Sequence, residues 1–140
     1  MVRSARADGL AVTAEATPHH FTLTDASCAS YDPVFKVNPP LRTAADVAAV
    51  KAGLADGTLD AIATDHAPHT QGAKEQPFDL APPGMLGLET ALALAVGELE
   101  LPLATVLGLL SWRPAAIAGL SDTQGSVAEG RPANLCVIDP

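Results

Sequence analysis

The sequence contains few of the residues that several classes of protein require. Its 140 residues include two cysteines, Cys28 and Cys136, too few and too far apart for a disulfide framework. Sixteen Asp and Glu outnumber eight Lys and Arg, giving a net charge of −8, so a nucleic-acid partner is not expected. No apolar run reaches the ~18 residues of a membrane span, and the first residues lack the apolar core of a secretory signal. We therefore expect a cytoplasmic protein that binds neither nucleic acid nor membranes.

Hydrophobic residues make up 48% of the chain although aromatic residues make up only 4%, so Ala, Leu and Val must form the core. This composition is typical of α/β proteins. Two β-branched or small-residue segments, Ala11–Thr17 and Leu59–Thr64, are predicted to be strands. Helices are predicted over residues 44–55, with Thr43 as the cap, and over residues 84–99, 102–110 and 115–120.

The most informative segment is residues 63–69, Ala-Thr-Asp-His-Ala-Pro-His, which ends the second predicted strand. It places the carboxylate of Asp65 and the imidazoles of His66 and His69 within five residues. A carboxylate at the C-terminal end of such a strand is where α/β barrels keep their catalytic groups. In the alternative interpretation, Asp65 caps a turn and the two histidines lie on an exposed loop.

This segment resembles the second signature of the dihydroorotases, in which Ser or Thr, Asp, any residue and Ala-Pro-His are followed after four residues by Lys. Every fixed position is filled, and Lys74 supplies the last one. Three more blocks are similar to this family, which is part of the amidohydrolase superfamily; the first two resemble its bacterial class I branch, and the third resembles the segment after the catalytic loop. They are Glu-Ala-Thr-Pro-His-His at 15–20, Lys-Val-Asn-Pro-Pro-Leu-Arg at 36–42 and Pro-Pro-Gly-Met-Leu-Gly-Leu-Glu-Thr at 82–90.

The resemblance implies a (β/α)8 TIM-type barrel, which needs about 250 residues. The family's His-x-His motif, its bridging carboxylate or modified Lys, and the histidines after the fifth and sixth strands have no counterpart here. We therefore expect an α/β chain that forms the C-terminal third of a dihydroorotase. Residues 1–121 would hold the end of helix six, strands seven and eight and the following helices. Residues 122–140 would be a C-terminal β segment of the small sandwich beside the barrel.

The resemblance also implies the reversible hydrolysis of the cyclic amide of dihydroorotate to N-carbamoyl-aspartate, a step of pyrimidine biosynthesis. One or two zinc ions would be the cofactor, with most of their ligands outside this chain. By resemblance, Asp65 is both a metal ligand and the catalytic general base and acid. The substrate would be bound by His69 at its carboxylate, by Asn38 at its ureide edge, and by the backbone of Pro83 and Gly84 at its ring.

Two other functions stay open at this point. The chain could belong to a related cyclic amidohydrolase, such as an allantoinase or dihydropyrimidinase, since these also have Asp-His after the eighth strand. It could instead be a non-catalytic, dihydroorotase-like scaffold for aspartate transcarbamoylase. We expect a small-molecule substrate, a homo-oligomer or a transcarbamoylase complex, and no activity of this chain alone. His19 and His20 are expected to support or anchor loops, and His66 to face away from the metal.

Overall fold

The structure, a computed structural model, describes residues 1–139 and is centred on two short parallel strands. Strand β1 (Glu15–Ala16) pairs with β2 (Ala61–Ile62). One further backbone hydrogen bond, from Ala63 N–H to the carbonyl oxygen of Ala16 (3.0 Å), extends the pairing towards the carboxyl ends of the strands. Because parallel strands cannot be joined by a tight turn, the chain between them forms a long crossover.

Helices surround this strand pair. They are α1 (Val2–Ala7), α2 (Pro18–Thr22), α3 (Ala44–Ala55), α4 (Gln71–Lys74), α5 (Ala91–Glu98), α6 (Leu103–Leu110) and α7 (Trp112–Ile117). Two 3₁₀ turns, Asp25–Cys28 and Pro33–Phe35, lie within the crossover between α2 and α3. The buried core combines both strands with four helices and consists of Ala16, Phe21, Leu54, Ile62, Ala95, Leu99, Val106 and Leu109. No helix in residues 1–139 is long and apolar enough to cross a membrane.

The helix predicted over residues 44–55 is confirmed with both of its ends. Thr43 Oγ1 accepts from the backbone N–H of Asp46 (3.4 Å), and the Asp46 carboxylate accepts from the backbone N–H of Thr43 (3.1 Å). This reciprocal capping box satisfies two backbone donors that a helix start leaves free. The hydrogen bonds from Thr43 also hold the pKa of the Asp46 carboxyl below its usual range.

Both strands are shorter than predicted, and the short helices α2 and α4 were not predicted. The ladder includes only two residues of each strand, because a strand exists only where another lies beside it. After β1 the chain turns at once into α2, whose first residue is Pro18. Proline is well suited to the first position of a helix, where its missing N–H is not needed.

The prediction of one helix over residues 84–99 was wrong at its N-terminal half. Helix α5 starts only at Ala91, because the preceding residues are held in an extended loop. Gly84 has φ +136°, outside the helical region, and a Cβ on Gly87 would lie 2.8 Å from the carbonyl oxygen of Thr64. The last helix, predicted over residues 115–120, also differs. Helix α7 starts at Trp112, ends at Ile117 and includes Pro114 in its first turn.

The tail from residue 122 onward contains no regular strand among its described residues, which end at 139. Strands need a partner, and no other strand lies beside this segment within the structure. The predicted β segment over 122–140, whose last residue lies outside the described range, therefore stays a prediction, as does the domain boundary at 121.

Candidate active site

Asp65 lies where the chain leaves the strand pair. It follows β2 by three residues and has φ +47°, a left-handed conformation that Asp tolerates better than most residues. The turn directs the chain away from β1 and alongside Met85, which pairs with His66 in a parallel bridge. Ala67 N–H then donates to the carbonyl oxygen of Met85 (3.0 Å). The chain is thus held by β1 before Asp65 and by Met85 after it. The exposed carboxylate of Asp65 lies between these two contacts.

Asn38 and Asp65 line the same cavity of about 520 Å³, together with Glu15, Thr17, His20 and Arg42. Asn38 precedes Pro39, and a cis peptide bond joins them. We call this space the Asp65 cavity. It brings a carboxylate together with an amide that can both donate and accept hydrogen bonds.

His20 anchors the loop that carries Asn38. Its Nε2 donates to the carbonyl oxygen of Pro39 (2.9 Å), because a carbonyl can only accept. Its Nδ1 is then the acceptor for the hydroxyl of Thr17, 2.6 Å away. These contacts join the end of β1 to the Asn38 loop, which is the anchoring role expected for this histidine.

His69, Pro83 and Gly84 form a second group. His69 Nε2 lies 2.9 Å from the carbonyl oxygen of Pro83, and a Cβ on Gly84 would lie 2.9 Å from the same nitrogen. Only glycine fits there, because that Cβ would also lie 2.7 Å from the Cβ of Ala67. His69 and Gly84 line a separate cavity of about 380 Å³ with Phe35. We call this space the His69 cavity.

The predicted site residues thus fall into two groups, with Asp65 and Asn38 at one cavity and His69 and Gly84 at the other. The chain from Asp65 to His69 connects them through a short segment containing Pro68. Its intervening histidine, His66, uses Nδ1 to accept from the backbone N–H groups of Gly87 (3.2 Å) and Leu88 (3.1 Å). His66 is therefore engaged in holding the loop before α5.

His19 lies close to this site and was predicted only as a supporting residue. His19 is 4% exposed. The centroid of its ring lies 4.5 Å from that of the His20 ring. Burial lowers the pKa of His19 to about 4; His20 adds to this decrease, and the charge of Asp65 opposes it. Its Nε2 has no hydrogen-bond partner among the described residues. The sequence around His19 gave no sign of this burial.

The described residues cannot hold a catalytic zinc ion by themselves. Such an ion usually has about three protein ligands and one open position. Within residues 1–139 no three His, Cys, Asp or Glu side chains are grouped closely enough to bind a metal ion. Asp65 is well placed to contribute one carboxylate, but further ligands would have to come from other residues.

The chain belongs to the amidohydrolase family, whose sequence profile matches residues 2–140. Its curated relatives identify a narrower group. A dihydroorotase of Pelotomaculum thermopropionicum is 51% identical, with all of this chain and 33% of that protein aligned. A dihydroorotase of Mycobacterium tuberculosis is 48% identical over all of this chain and 34% of its own length. The chain thus spans about a third of the length of these relatives, and it resembles dihydroorotases as its motifs indicated.

Solved structures confirm the α/β fold of this chain. The D-hydantoinase (dihydropyrimidinase) from Thermus sp. matches 94% of this chain with a TM-score of 0.85, at 24% identity and over 31% of its own length. The L-hydantoinase from Arthrobacter aurescens matches the same share with a TM-score of 0.83 and 25% identity. These likenesses support an α/β amidohydrolase fold. The sequence identity of this chain to the two dihydroorotases is about twice its identity to these two hydantoinases.

Proposed function

We propose that this chain is part of a dihydroorotase, in which it forms the last two strands and the following helices of a (β/α)8 barrel. The parallel strands β1 and β2, joined by a helical crossover, have the connection that neighbouring barrel strands require. The match to about a third of each relative supports the same view. In this proposal residues 122–140 would gain their β partners from the sandwich beside the barrel.

One observation carries the catalytic part of the proposal: Asp65 and Asn38 share a cavity at the carboxyl end of the parallel strands. Barrel enzymes place their catalytic groups at this end. Zinc, when bound, would lower the pKa of a water molecule to ~7 and polarise the amide carbonyl. Asp65 would be one ligand of that ion.

Asp65 would also move the proton that ring hydrolysis requires. Its carboxylate would accept a proton from the attacking water and then deliver it to the amide nitrogen as the C–N bond breaks. One group can do both, because the two transfers are separated in time by the tetrahedral intermediate. The exposure of Asp65 at the strand end leaves its carboxylate accessible to a ring bound in the cavity.

The remaining residues would bind the substrate. The amide of Asn38 can donate to a ring carbonyl and accept from a ring N–H, which matches the alternation along a ureide edge. His69 would bind the carboxylate. The Gly84 N–H already donates to the carbonyl oxygen of Lys36 (2.8 Å), so the backbone of Pro83 and Gly84 would bind the ring through carbonyl oxygens. Dihydroorotate has ring N–H groups that could donate to them.

The proposal includes a cytoplasmic location, zinc as the cofactor, and assembly with itself or with aspartate transcarbamoylase. A chimera would test the activity. This chain would replace the matching third of the Pelotomaculum thermopropionicum dihydroorotase, and purified protein would be assayed with dihydroorotate, dihydrouracil and allantoin. We expect turnover of dihydroorotate and none by the isolated chain, which has a single proposed zinc ligand.

Each alternative predicts a different result in this assay. Preferential hydrolysis of dihydrouracil or allantoin would indicate a dihydropyrimidinase or an allantoinase. A folded, zinc-containing chimera with no turnover of any of the three rings would favour the scaffold function. Turnover of dihydroorotate by the isolated, contaminant-free chain would contradict the proposed division of the zinc ligands.

A further inference from the structure

Lys74 is the charged residue of the motif that has no role in the function proposed above. It ends α4 and is only partly exposed. Its Nζ donates to the carbonyl oxygens of Pro33 (2.8 Å) and Pro82 (3.1 Å), with a longer contact to that of Lys36 (3.4 Å). A lysine ammonium has three donors and no acceptor, so these carbonyls account for all of them.

The three carbonyls belong to two loops that are distant in sequence. Pro33 and Lys36 lie in the crossover between the strands, whereas Pro82 lies in the loop before α5. Lys36 completes the connection, because its own Nζ donates to the carbonyl oxygens of Phe78 (2.7 Å) and Asp79 (3.0 Å). The two lysines thus join the same pair of loops at several points.

The joined loops carry the proposed substrate-binding groups. The carbonyl oxygen of Lys36 contacts Lys74 Nζ and also accepts from Gly84 N–H at 2.8 Å. Pro82 precedes Pro83, whose carbonyl oxygen contacts His69 Nε2. Two of the three carbonyls that Lys74 contacts, those of Pro82 and Lys36, therefore adjoin the Pro83–Gly84 backbone beside the His69 ring.

We propose that Lys74 is a positioning residue, which holds Pro83 and Gly84 against His69 and so orients the His69 imidazole for the substrate. Lys74 does not touch the substrate in this proposal, because its donors are already bound to backbone carbonyls. The proposal rests on the function proposed above for the identity of the substrate. The orientation of His69 by these loops does not depend on it.

Burial and charge support a structural use of this ammonium. Desolvation lowers the pKa of Lys74, with Lys36 acting in the same direction, as expected for an ammonium enclosed by carbonyls beside a second ammonium. Lys51 provides a contrast, since its ammonium contacts a carboxylate and no loop carbonyl: it pairs with Glu98 at 2.9 Å, between helices α3 and α5. The same substitution at Lys51 is therefore a matched control.

The test uses the chimera described above and the variants Lys74→Met and Lys51→Met. The first readout is the ¹⁵N NMR signal of His69 Nε2 and the solvent exchange of its proton, measured without substrate. We expect Lys74→Met to shift this signal and speed the exchange, because Pro83 is no longer held. We also expect kcat/KM to fall between about tenfold and a hundredfold, the usual cost of a small misplacement. Zinc content should not change, and Lys51→Met should match the parent.

An unchanged His69 signal in folded Lys74→Met would overturn the proposal. If KM alone then rose, Lys74 would be a direct ligand of the substrate carboxylate. Should Lys74→Met fail to fold, Lys74→Gln, which keeps two donors, is subject to the same criterion. Because the NMR readout needs no substrate, a chimera that hydrolyses a different ring would refute the proposed function while leaving this test intact.

Discussion

The Nε2 atom of His69 donates to the carbonyl oxygen of Pro83, 2.9 Å away, and within residues 1–139 its Nδ1 has no hydrogen-bond partner. In the neutral ring Nδ1 can only accept, and a substrate carboxylate can also only accept. Nδ1 can therefore bind a carboxylate only when the ring carries a second proton. The contact would then be a charge-assisted hydrogen bond, which is stronger than a neutral one.

Replacing His69 by Ala in the chimera should weaken substrate use and leave zinc bound. The variant loses one hydrogen bond to a charged group, so we expect kcat/KM to fall by an amount that corresponds to a loss of about 1.5–3 kcal/mol in transition-state binding. Asn38→Ala serves as a comparison, because it removes an amide from the Asp65 cavity and should also retain zinc. Steady-state kinetics and metal analysis would measure both effects. Loss of zinc from His69→Ala would make His69 a metal ligand and contradict its assignment.

Gly84→Ala should impair the same site by a steric route. The new Cβ would lie within 3 Å of Ala67 and of His69 Nε2, in a conformation with φ +136° that only glycine adopts readily. We expect a loss of about 1–3 kcal/mol in stability, accompanied by reduced kcat/KM. Gly72→Ala is the matched control, since a Cβ there would meet no atom within 4 Å. Equal stability and activity of the two variants would show that Gly84 is not tightly enclosed.

The sequence predicted those features of the fold that depend on residues close together in the chain. Thr43 and the apolar positions that follow it define α3, and Asp65 falls at the end of a strand as expected. The loop before α5 could not be predicted in this way. Gly87 lies against Thr64, and Gly84 against Ala67, and such contacts join segments about twenty residues apart. A local pattern of leucines therefore indicated a helix where tertiary contacts impose a loop.

The sequence suggested candidate residues for the site but not their arrangement. Asp65 and His69 come from the segment at 63–69 and Asn38 from the block at 36–42, but their separation into two cavities depends on the path of the chain after Asp65. The three-carbonyl contact of Lys74 was equally unpredictable, because backbone carbonyls leave no mark in the sequence.

His19 should remain neutral at pH 7 and take up a proton only near pH 4, because burial opposes the charged ring. The unfolded chain would bind this proton near the usual histidine pKa of 6.5, whereas the folded state would not. Stability should therefore fall as the pH decreases from 6.5 to 4, by about 3 kcal/mol at most. NMR titration of the chimera, with His19→Gln to identify the signal, would measure the pKa. A midpoint near 6.5 would contradict the burial.

The isolated chain should associate or lose its fixed tertiary packing. Its strand pair leaves one edge of β1 and one edge of β2 without a partner strand in residues 1–139, and open strand edges promote association. Leu86 and Leu88, on either side of Gly87, are also 61% and 64% exposed. Analytical ultracentrifugation and urea unfolding would decide this. A dilute monomer with a sharp cooperative transition would show that the chain is an autonomous domain.

The central claim is that Asp65 carries the proton and binds the metal in a dihydroorotase site. The most direct test is the kcat of the chimera for dihydroorotate, measured for the parent and for Asp65→Asn together with the zinc content. Asp56→Asn is the control, because Asp56 is exposed and pairs with Arg3 at the surface. We predict that Asp65→Asn lowers kcat about a thousandfold or more, while Asp56→Asn leaves it close to that of the parent. A near-normal kcat in Asp65→Asn would contradict the account.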